Sequence, residues 1–376
     1  ILDMRLARLV HLEVEKIEEE LAELEKLIAH LEKILASKKA QYDLVKKEIL
    51  EIKKSYATKR RSVICNDAKI KVSEIKDEKE EEVSKNYVLS ISAGGTIKKV
   101  TPKNYSMSQK DITDSTTLTD LPKCIETYSS TDTILILTNK GNAVKRKVAD
   151  IKECKWRDKG LTLDDIEKLV SLNEMPVAFL KVPNTSNVVF MTKNGVVKMS
   201  PASELMMTKS FYPVCKLADD DEVITVQLEE VDKSILMMTK KGMALNFDKK
   251  DVPVQGRLSG GVRGINLDEN DSVIFASQVN FDEVCVVSEN GYIKKLSTSQ
   301  FPLSQRYRKG LKYITFAKNC QNVFFVCPAD KQTSVAVDFG LKILPLDTKK
   351  VPTGERLTTG NEIIKKNFFS IVKIIY

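Results

Sequence analysis

The sequence has very few of the side chains that build metal centres. Only two of its 376 residues are histidines, His11 and His30, and neither lies near a cluster of cysteines or carboxylates at ligand spacing. The seven cysteines form no Cys-x-x-Cys pair, and several lie inside apolar runs, which is typical of reduced packing residues in a cytosolic protein. We therefore predict no metal site.

Catalytic motifs and long apolar runs are also absent. The chain has no P-loop, no Gly-x-Ser-x-Gly and no His-Glu-x-x-His. We therefore predict no catalytic residue and expect the chain alone to do no chemistry. No uncharged apolar run reaches the roughly 18 residues of a membrane-spanning helix, and no signal peptide is visible. The first residues, ILDMRL, begin in a helical pattern without an initiating Met, so we expect a fragment of a longer chain.

Residues 1–56 carry the apolar spacing of a coiled coil. Apolar side chains recur in alternating steps of four and three residues, with the same phase on both sides of Ser37. They are Ile17, Leu21, Leu24, Ile28, Leu31, Leu35, Tyr42, Val45, Ile49 and Ile52. We predict a long α-helical coiled coil, with Ser37 as a cap that marks a break. One seam leaves open whether its partner is a second chain, another helix or the protein's own globular part. Residues 57–85 lose the period, become highly charged and are predicted to be a linker.

From residue 86 onward one hairpin recurs six times. Each copy has about four apolar strand residues, a turn glycine and a second short strand. The turn glycines are Gly95, Gly141, Gly195, Gly242, Gly291 and Gly340. A period of about 49 residues indicates a radial or stacked array of β units. A second glycine follows three of the turn glycines by 19 residues, at Gly160, Gly261 and Gly310. We interpret these three as tight connections that require a positive φ.

The net charge of +8 falls almost entirely on the repeats, because residues 1–85 balance to about zero. Lys and Arg recur shortly after the hairpin glycine and again in the loop around the second glycine. A protein that holds DNA without reading its sequence needs such cations along a path. The predicted DNA-binding residues are Lys98, Lys99, Lys145, Arg146, Lys155, Arg157, Lys159, Lys198, Arg257, Arg263, Lys294, Lys295, Arg306, Arg308, Lys309 and Lys312. For any one of them, an ordinary solvated surface charge is the alternative.

Two stretches resemble the A subunit of bacterial type IIA topoisomerases, the family of DNA gyrase and topoisomerase IV. ILDMRLARLVHLEVEKIEEELAELEKLIAHLEKIL, together with KRRSVI, resembles the coiled coil at that subunit's exit gate. The repeats, above all GVRGINL, resemble its C-terminal domain. The resemblance implies a mainly β fold: a six-bladed β-pinwheel over residues 86–376 that binds and bends double-stranded DNA, preceded by the coiled coil.

The same resemblance sets the expected partners. It implies a homodimeric A subunit, an ATPase B subunit, and a bacterial cytoplasmic, nucleoid-associated location. ATP and Mg are expected on other domains or on the B subunit, so no cofactor is expected in this chain. The family's catalytic tyrosine lies in a breakage domain that precedes these residues, and the fragment alone should be inactive.

Within the family, the residues favour topoisomerase IV. Gyrase carries a basic box of the type Q-R-R-G-G-R-G in its first blade, and the corresponding stretch here, TPKNYSMSQKDITDSTTLTD, has none. KWRDKG in the second unit is similar to the W-[KR]-x-x-G of topoisomerase IV. The predicted role is DNA binding and bending that supports ATP-dependent relaxation and decatenation. The alternatives are a gyrase domain that wraps DNA for negative supercoiling, and a coiled-coil-dimerised β-propeller that binds proteins.

Overall fold

The computed structural model describes residues 2–56, 84–108, 118–168, 170–171, 173–318, 320–329, 334–338, 343–362 and 370–374. The chain divides into two compact units, residues 1–78 and 79–376. All but the last two residues of the predicted linker lie outside the described part of the chain. Across the described ranges, no helix is long and apolar enough to cross a membrane.

In residues 2–56, the described part of the first unit, there are two helices, α1 (Leu2–Ala36) and α2 (Lys38–Tyr56). Ser37 separates them and caps the second: its Oγ accepts from the backbone N–H of Ala40 at 3.4 Å, as predicted. Apolar side chains of the predicted seam are exposed, including Leu24 at 57% and Leu35 at 74%. A helical segment is therefore present, and the coiled coil itself stays a prediction.

Over its described residues the second unit is mainly β, with two short α-helices, α3 (Pro102–Ser108) and α4 (Leu163–Ile166). Its first strands are β1 (Asn86–Ser92), β2 (Ile97–Val100), β3 (Pro122–Ser129), β4 (Thr133–Thr138), β5 (Asn142–Lys147), β6 (Pro176–Val182), β7 (Asn187–Thr192), β8 (Val196–Pro201), β9 (Phe211–Pro213), β10 (Val223–Leu228), β11 (Ser234–Thr239) and β12 (Met243–Asp248). The later strands are β13 (Val262–Arg263), β14 (Val273–Gln278), β15 (Glu283–Ser288), β16 (Tyr292–Ser297), β17 (Leu303–Ser304), β18 (Leu311–Lys312), β19 (Val323–Pro328), β20 (Ser334–Asp338), β21 (Ile343–Asp347), β22 (Asn361–Glu362) and β23 (Ser370–Ile374).

Six hairpins organise these strands into six sheets, numbered in chain order. The hairpins are β1/β2, β4/β5, β7/β8, β11/β12, β15/β16 and β20/β21, and each is antiparallel. The turn glycines have positive φ in the first five, from 75° at Gly141 to 89° at Gly242, which is the conformation that glycine adopts without strain. The predicted hairpins are therefore confirmed; Gly340, in the sixth turn, lies outside the described residues.

Each sheet gains a third strand on one side of its hairpin. These strands are β3, β6, β10, β14, β19 and β23, and they pair with the first strand of each hairpin. Neighbouring sheets approach one another at these strands: β10 lies near β6 and β14, β19 lies near β14 and β23, and β23 lies near β3. The series of sheets thus returns to its beginning, and the architecture is propeller-like.

The outer strand of a sheet comes from the following hairpin unit. The chain leaves β8 of sheet 3 and forms β9, which pairs with β5 of sheet 2. In the same way β13 pairs with β8, β17 and β18 pair with β12, and β22 pairs with β16. Sheet 1 receives a single bridge, between Ile97 and Leu161. The sequence repeats carry no sign of this exchange.

The core lies between adjacent sheets. Along β4, Ile134 and Ile136 pack with Leu89 of sheet 1, whereas the alternate residues Leu135 and Leu137 pack with sheet 3. Side chains of a strand alternate between its two faces, so a strand covered on both faces is apolar at every position. This explains why runs such as ILIL occur in each unit.

Candidate nucleic-acid interface

The lysines three residues after the hairpin glycine are buried. Lys98, Lys198 and Lys294 are 4%, 1% and 1% exposed, although each belongs to the predicted DNA-binding set. Burial of an ammonium is unfavourable unless it is hydrogen-bonded, and burial lowers the pKa of Lys198 and brings that of Lys294 down to about 8. These three amines are turned away from solvent and are not available to a phosphate, which corrects their assignment as contacts.

Each of these lysines bonds to the outer loop that arrives from the next unit. Nζ of Lys98 donates to the carbonyl of Trp156 at 3.0 Å. Nζ of Lys198 donates to the carbonyl of Arg257 in its incoming loop and, within its own unit, to that of Val214 at 2.7 Å. Nζ of Lys294 donates to three loop carbonyls, those of Glu355, Arg356 and Thr358, at 3.0, 2.9 and 2.7 Å. All three lysines therefore hold the backbone of an outer loop.

The other predicted cations on the hairpins are also engaged inside the fold. The buried Lys99 donates to the carbonyls of Val148 and Ile151, both at 2.7 Å, and burial lowers its pKa. The remaining three are half-buried: Lys145 donates to Met207 at 2.8 Å, Arg146 pairs with Glu167 at 2.8 Å, and Lys295 pairs with Glu283 at 2.9 Å. These side chains stabilise the sheets, so the structure does not support them as primary DNA contacts.

The predicted cations in the outer loops have a different environment. Seven are exposed, and we call them the basic rim: Lys155, Arg157, Lys159, Arg263, Arg308, Lys309 and Lys312. Arg257 and Arg306 are half-buried in the same loops. Within the rim, Lys309 pairs with Asp268 at 2.7 Å, and both side chains of that pair are more than half exposed. An exposed pair of this kind exchanges readily with another anion because it is only weakly stabilising.

The loop glycines bring these cations close to the preceding hairpin. Gly160, Gly261 and Gly310 have φ of 81°, 78° and 83°, which confirms the predicted tight connections. A Cβ at these positions would lie 2.9, 2.7 and 2.2 Å from a carbonyl oxygen of the hairpin. The same geometry recurs at Gly360, with φ of 91°, a position that the sequence reasoning missed. Its spacing of 20 residues from Gly340 is the signal that could have found it, and it identifies the half-buried Arg356 as a further loop cation.

Neighbouring outer loops also contact one another. The backbone N–H of Tyr307 donates to Gly264 at 2.6 Å, and Nη1 of Arg306 donates to the carbonyl of Arg263 at 2.6 Å. The Arg263 guanidinium lies 5.6 Å from the Tyr307 ring and donates to its hydroxyl at 3.0 Å. Tyr307 has φ of 65°, a conformation rare for a residue other than glycine. The outer edges of sheets 3 and 4 therefore form one continuous cationic surface.

Within the described ranges, no group of His, Cys, Asp and Glu side chains is arranged to hold a metal ion. By fold and site, the second unit is a propeller-like β-repeat module with a cationic outer edge.

Comparison with known proteins identifies the repeats. The family described as DNA gyrase C-terminal domain, beta-propeller, matches residues 132–173, 186–228, 233–280 and 282–326. The DNA gyrase A protein of Staphylococcus epidermidis is 30% identical over 381 residues, which cover 97% of this chain and 42% of that protein. Its counterpart in Staphylococcus aureus is 30% identical over 380 residues, with the same coverage. The chain thus spans less than half the length of these curated relatives.

Two solved structures share the fold. The C-terminal domain of DNA topoisomerase IV superposes with a TM-score of 0.68 at 20% identity, covering 78% of this chain and 94% of that one. The gyrase A C-terminal domain gives 0.54 at 20% identity, covering 77% and 100%. The repeats thus match the C-terminal domain of gyrase-type topoisomerase A subunits, and the C-terminal domain of topoisomerase IV shares their fold.

Proposed function

We propose that residues 86–376 bind duplex DNA without sequence preference along the basic rim and bend it. The observation that carries this proposal is the segregation of the cations. Those on the hairpins are bound inside the fold, whereas seven on three of the outer loops are exposed. Each Lys or Arg that neutralises a phosphate releases counterions, which supplies affinity without base contacts. The gyrase A relatives support DNA as the polyanion.

We further propose that the six sheets form a six-bladed β-pinwheel. The return of the last sheet to the first supports a closed ring, and the exchange of outer strands supports a pinwheel rather than an ordinary propeller. Bending DNA by 40–90° over 20–30 base pairs costs on the order of 1–6 kcal/mol. Rim contacts from several blades would offset that cost.

DNA binding is tested by removing rim charge. In Arg157→Gln/Arg308→Gln/Lys312→Gln, the slope of log affinity against log salt concentration should become shallower by about three contacts, at roughly 0.9 per contact. The matched control is Lys147→Gln/Lys240→Gln/Lys250→Gln, which removes the same charge from exposed positions outside the outer loops. Fluorescence anisotropy with a labelled duplex provides the affinities. Equal slopes in the two triple variants, or strong preference for one duplex sequence, would refute the proposal.

The finer proposal concerns the whole enzyme. We propose a homodimeric topoisomerase IV A subunit that uses the α1/α2 segment in its coiled coil and works with an ATPase B subunit in the bacterial cytoplasm, where the nucleoid lies. ATP and Mg would be held outside this chain. The absence of a glycine-rich basic box in residues 101–120 supports topoisomerase IV, although part of that stretch, residues 109–117, lies outside the described residues.

The two staphylococcal relatives are gyrase A proteins, so the two enzymes need a direct test. The full-length A subunit with its B subunit should relax supercoils and unlink catenanes with ATP, without introducing negative supercoils. Relaxed plasmid incubated with this holoenzyme is resolved on a chloroquine gel. Robust negative supercoiling would identify gyrase instead.

A further inference from the structure

The buried lysines alternate around the array. Lys98, Lys198 and Lys294 occupy the third position after the hairpin glycine in sheets 1, 3 and 5. In sheets 2 and 4 the same position is held by Val144 and Leu245, which are also buried. The ammonium is therefore not a general requirement of this position in the hairpin. In sheets 1, 3 and 5 its acceptors are carbonyls of the incoming outer loop.

The three lysines bind a corresponding point in their loops. Each donates to the carbonyl of the residue four positions before the loop glycine: Trp156 before Gly160, Arg257 before Gly261 and Arg356 before Gly360. Backbone carbonyls are the acceptors, so the bond fixes the path of the loop whatever side chains the loop carries. The Lys294 ammonium has three N–H donors, and it donates hydrogen bonds to three backbone carbonyls.

The loop held by Lys98 carries rim cations, and the rim residue Arg263 follows the loop held by Lys198. The loop from Lys155 to Gly160 includes three of the seven rim side chains, and its one aromatic residue, Trp156, packs edge-on against Tyr105 with ring centroids 4.9 Å apart. Nζ of Lys98 lies 5.7 Å from the centroid of the Trp156 ring. Loss of Lys98 would therefore free both the backbone and the aromatic ring at the centre of this loop.

We propose that Lys98 and Lys198 are positioning residues for DNA binding: they hold outer loops in the conformation that presents rim cations, and they do not touch DNA. Lys294 holds the loop of the half-buried Arg356 in the same way. This inference rests on the proposed DNA binding. It separates two classes of cation by their physical effect. A contact residue releases counterions and steepens the salt dependence, whereas a positioning residue lowers the ordering cost of the loop and changes affinity at constant slope.

The experiment uses Trp156, the only tryptophan in the chain, as a reporter of its loop. Lys98→Met keeps an unbranched side chain and removes the donor, and Lys159→Met is the control in the same loop. Acrylamide quenching of Trp156 is measured first without DNA, because a neutral quencher does not respond to the lost charge. Duplex affinity is then measured at several salt concentrations. Circular dichroism and urea unfolding verify that both variants are folded.

In Lys98→Met, quenching of Trp156 should increase about twofold. Duplex affinity should fall about fivefold with no change in the salt slope, because one loop must then be ordered on binding. Lys159→Met should leave quenching unchanged and make the slope shallower by about 0.9. If Lys98→Met does not fold, Lys98→Gln, which keeps an amide donor, is measured in its place and should give the same changes in reduced size.

Unchanged Trp156 quenching in the Lys98 variants would overturn the inference, as would a shallower salt slope, because that slope would make Lys98 a contact. Failure of the wild-type protein to bind DNA would refute the proposed function instead. The quenching comparison would then still decide whether Lys98 holds the loop.

Discussion

Replacing Gly310 by alanine should destabilise the repeat unit strongly, although it adds only one methyl group. Gly310 has φ of 83° and immediately precedes β18, which pairs with β12. A Cβ there would lie 2.2 Å from the carbonyl oxygen of Ala244 and 2.7 Å from its carbonyl carbon, far inside van der Waals contact. Both atoms belong to the backbone of a buried strand, so neither moves away easily.

Three contributions set the expected size. An L residue in the left-handed region costs about 1–2 kcal/mol, and the lower entropy of the unfolded alanine variant returns about 0.4–1 kcal/mol. The steric overlap adds to the cost, because overpacking against a fixed backbone typically costs about 1–3 kcal/mol. We therefore expect the free energy of unfolding to fall by roughly 2–3 kcal/mol, measured by urea titration with circular dichroism.

Gly256→Ala provides the matched control. Gly256 also lies in an outer loop, has no positive φ, and its added Cβ would approach only the Glu204 carboxylate oxygen, at 3.4 Å. Its unfolding midpoint should stay unchanged or rise slightly. Equal stability of Gly310→Ala and Gly256→Ala would refute the reasoning, because it would mean that the outer loop moves away from β12 at no cost.

Two further predictions concern charges inside the fold. Arg146→Ala removes the positive charge that faces the buried Glu167 carboxylate, so the free energy of unfolding should fall by roughly 2–4 kcal/mol. The control Lys147→Ala, at the exposed neighbouring position, should change it by less than about 0.5 kcal/mol. Equal effects of the two variants in urea titrations would contradict the structural role of Arg146. Burial lowers the pKa of Lys294 from 10.5 to about 8. Between pH 8 and pH 10.5 the unfolded chain therefore binds more protons at Lys294 than the folded chain does. The free energy of unfolding of the wild type should rise with pH in this range, relative to that of Lys294→Met. Below about pH 8 the difference between the two should be flat. A difference that stays flat up to pH 10 in urea titrations would contradict the lowered pKa, because a group whose pKa rises on folding loses its contribution only above pH 10.5.

The sequence predicts the local fold well because hairpin chemistry is local. A turn glycine between two apolar runs determines where the chain reverses, and five of the six predicted turns have the expected glycine conformation. The helix break at Ser37 follows from the same kind of short-range hydrogen bonding. The local sequence pattern does not predict the exchange of outer strands. The strands β9 and β13 are only three and two residues long, and each pairs with a hairpin of the preceding unit.

The candidate site is predicted only in part, for a related reason. A lysine three residues after a turn glycine looks the same whether its amine faces solvent or the interior. Lys198 and Lys159 are both basic residues near a glycine, yet the first is 1% exposed and the second lies on the exposed rim. Lys198 lies on a hairpin, where the incoming loop supplies carbonyl acceptors, whereas Lys159 lies on such a loop itself. That difference depends on contacts between residues about 60 positions apart, such as Lys198 and Arg257.

The exchange of outer strands means that the unit duplicated in the sequence is not the unit completed in space. Sheet 5 owes its outer strand β22 to the last unit, and the carbonyls that bind Lys294 belong to residues 355–358 of that same unit. Shortening the chain by its final repeat would therefore do more than subtract one sheet. It would leave the outer edge of β16 without a hydrogen-bonding partner and remove the carbonyl acceptors of the buried Lys294 ammonium. Loss of the last repeat should therefore destabilise the repeat before it as well.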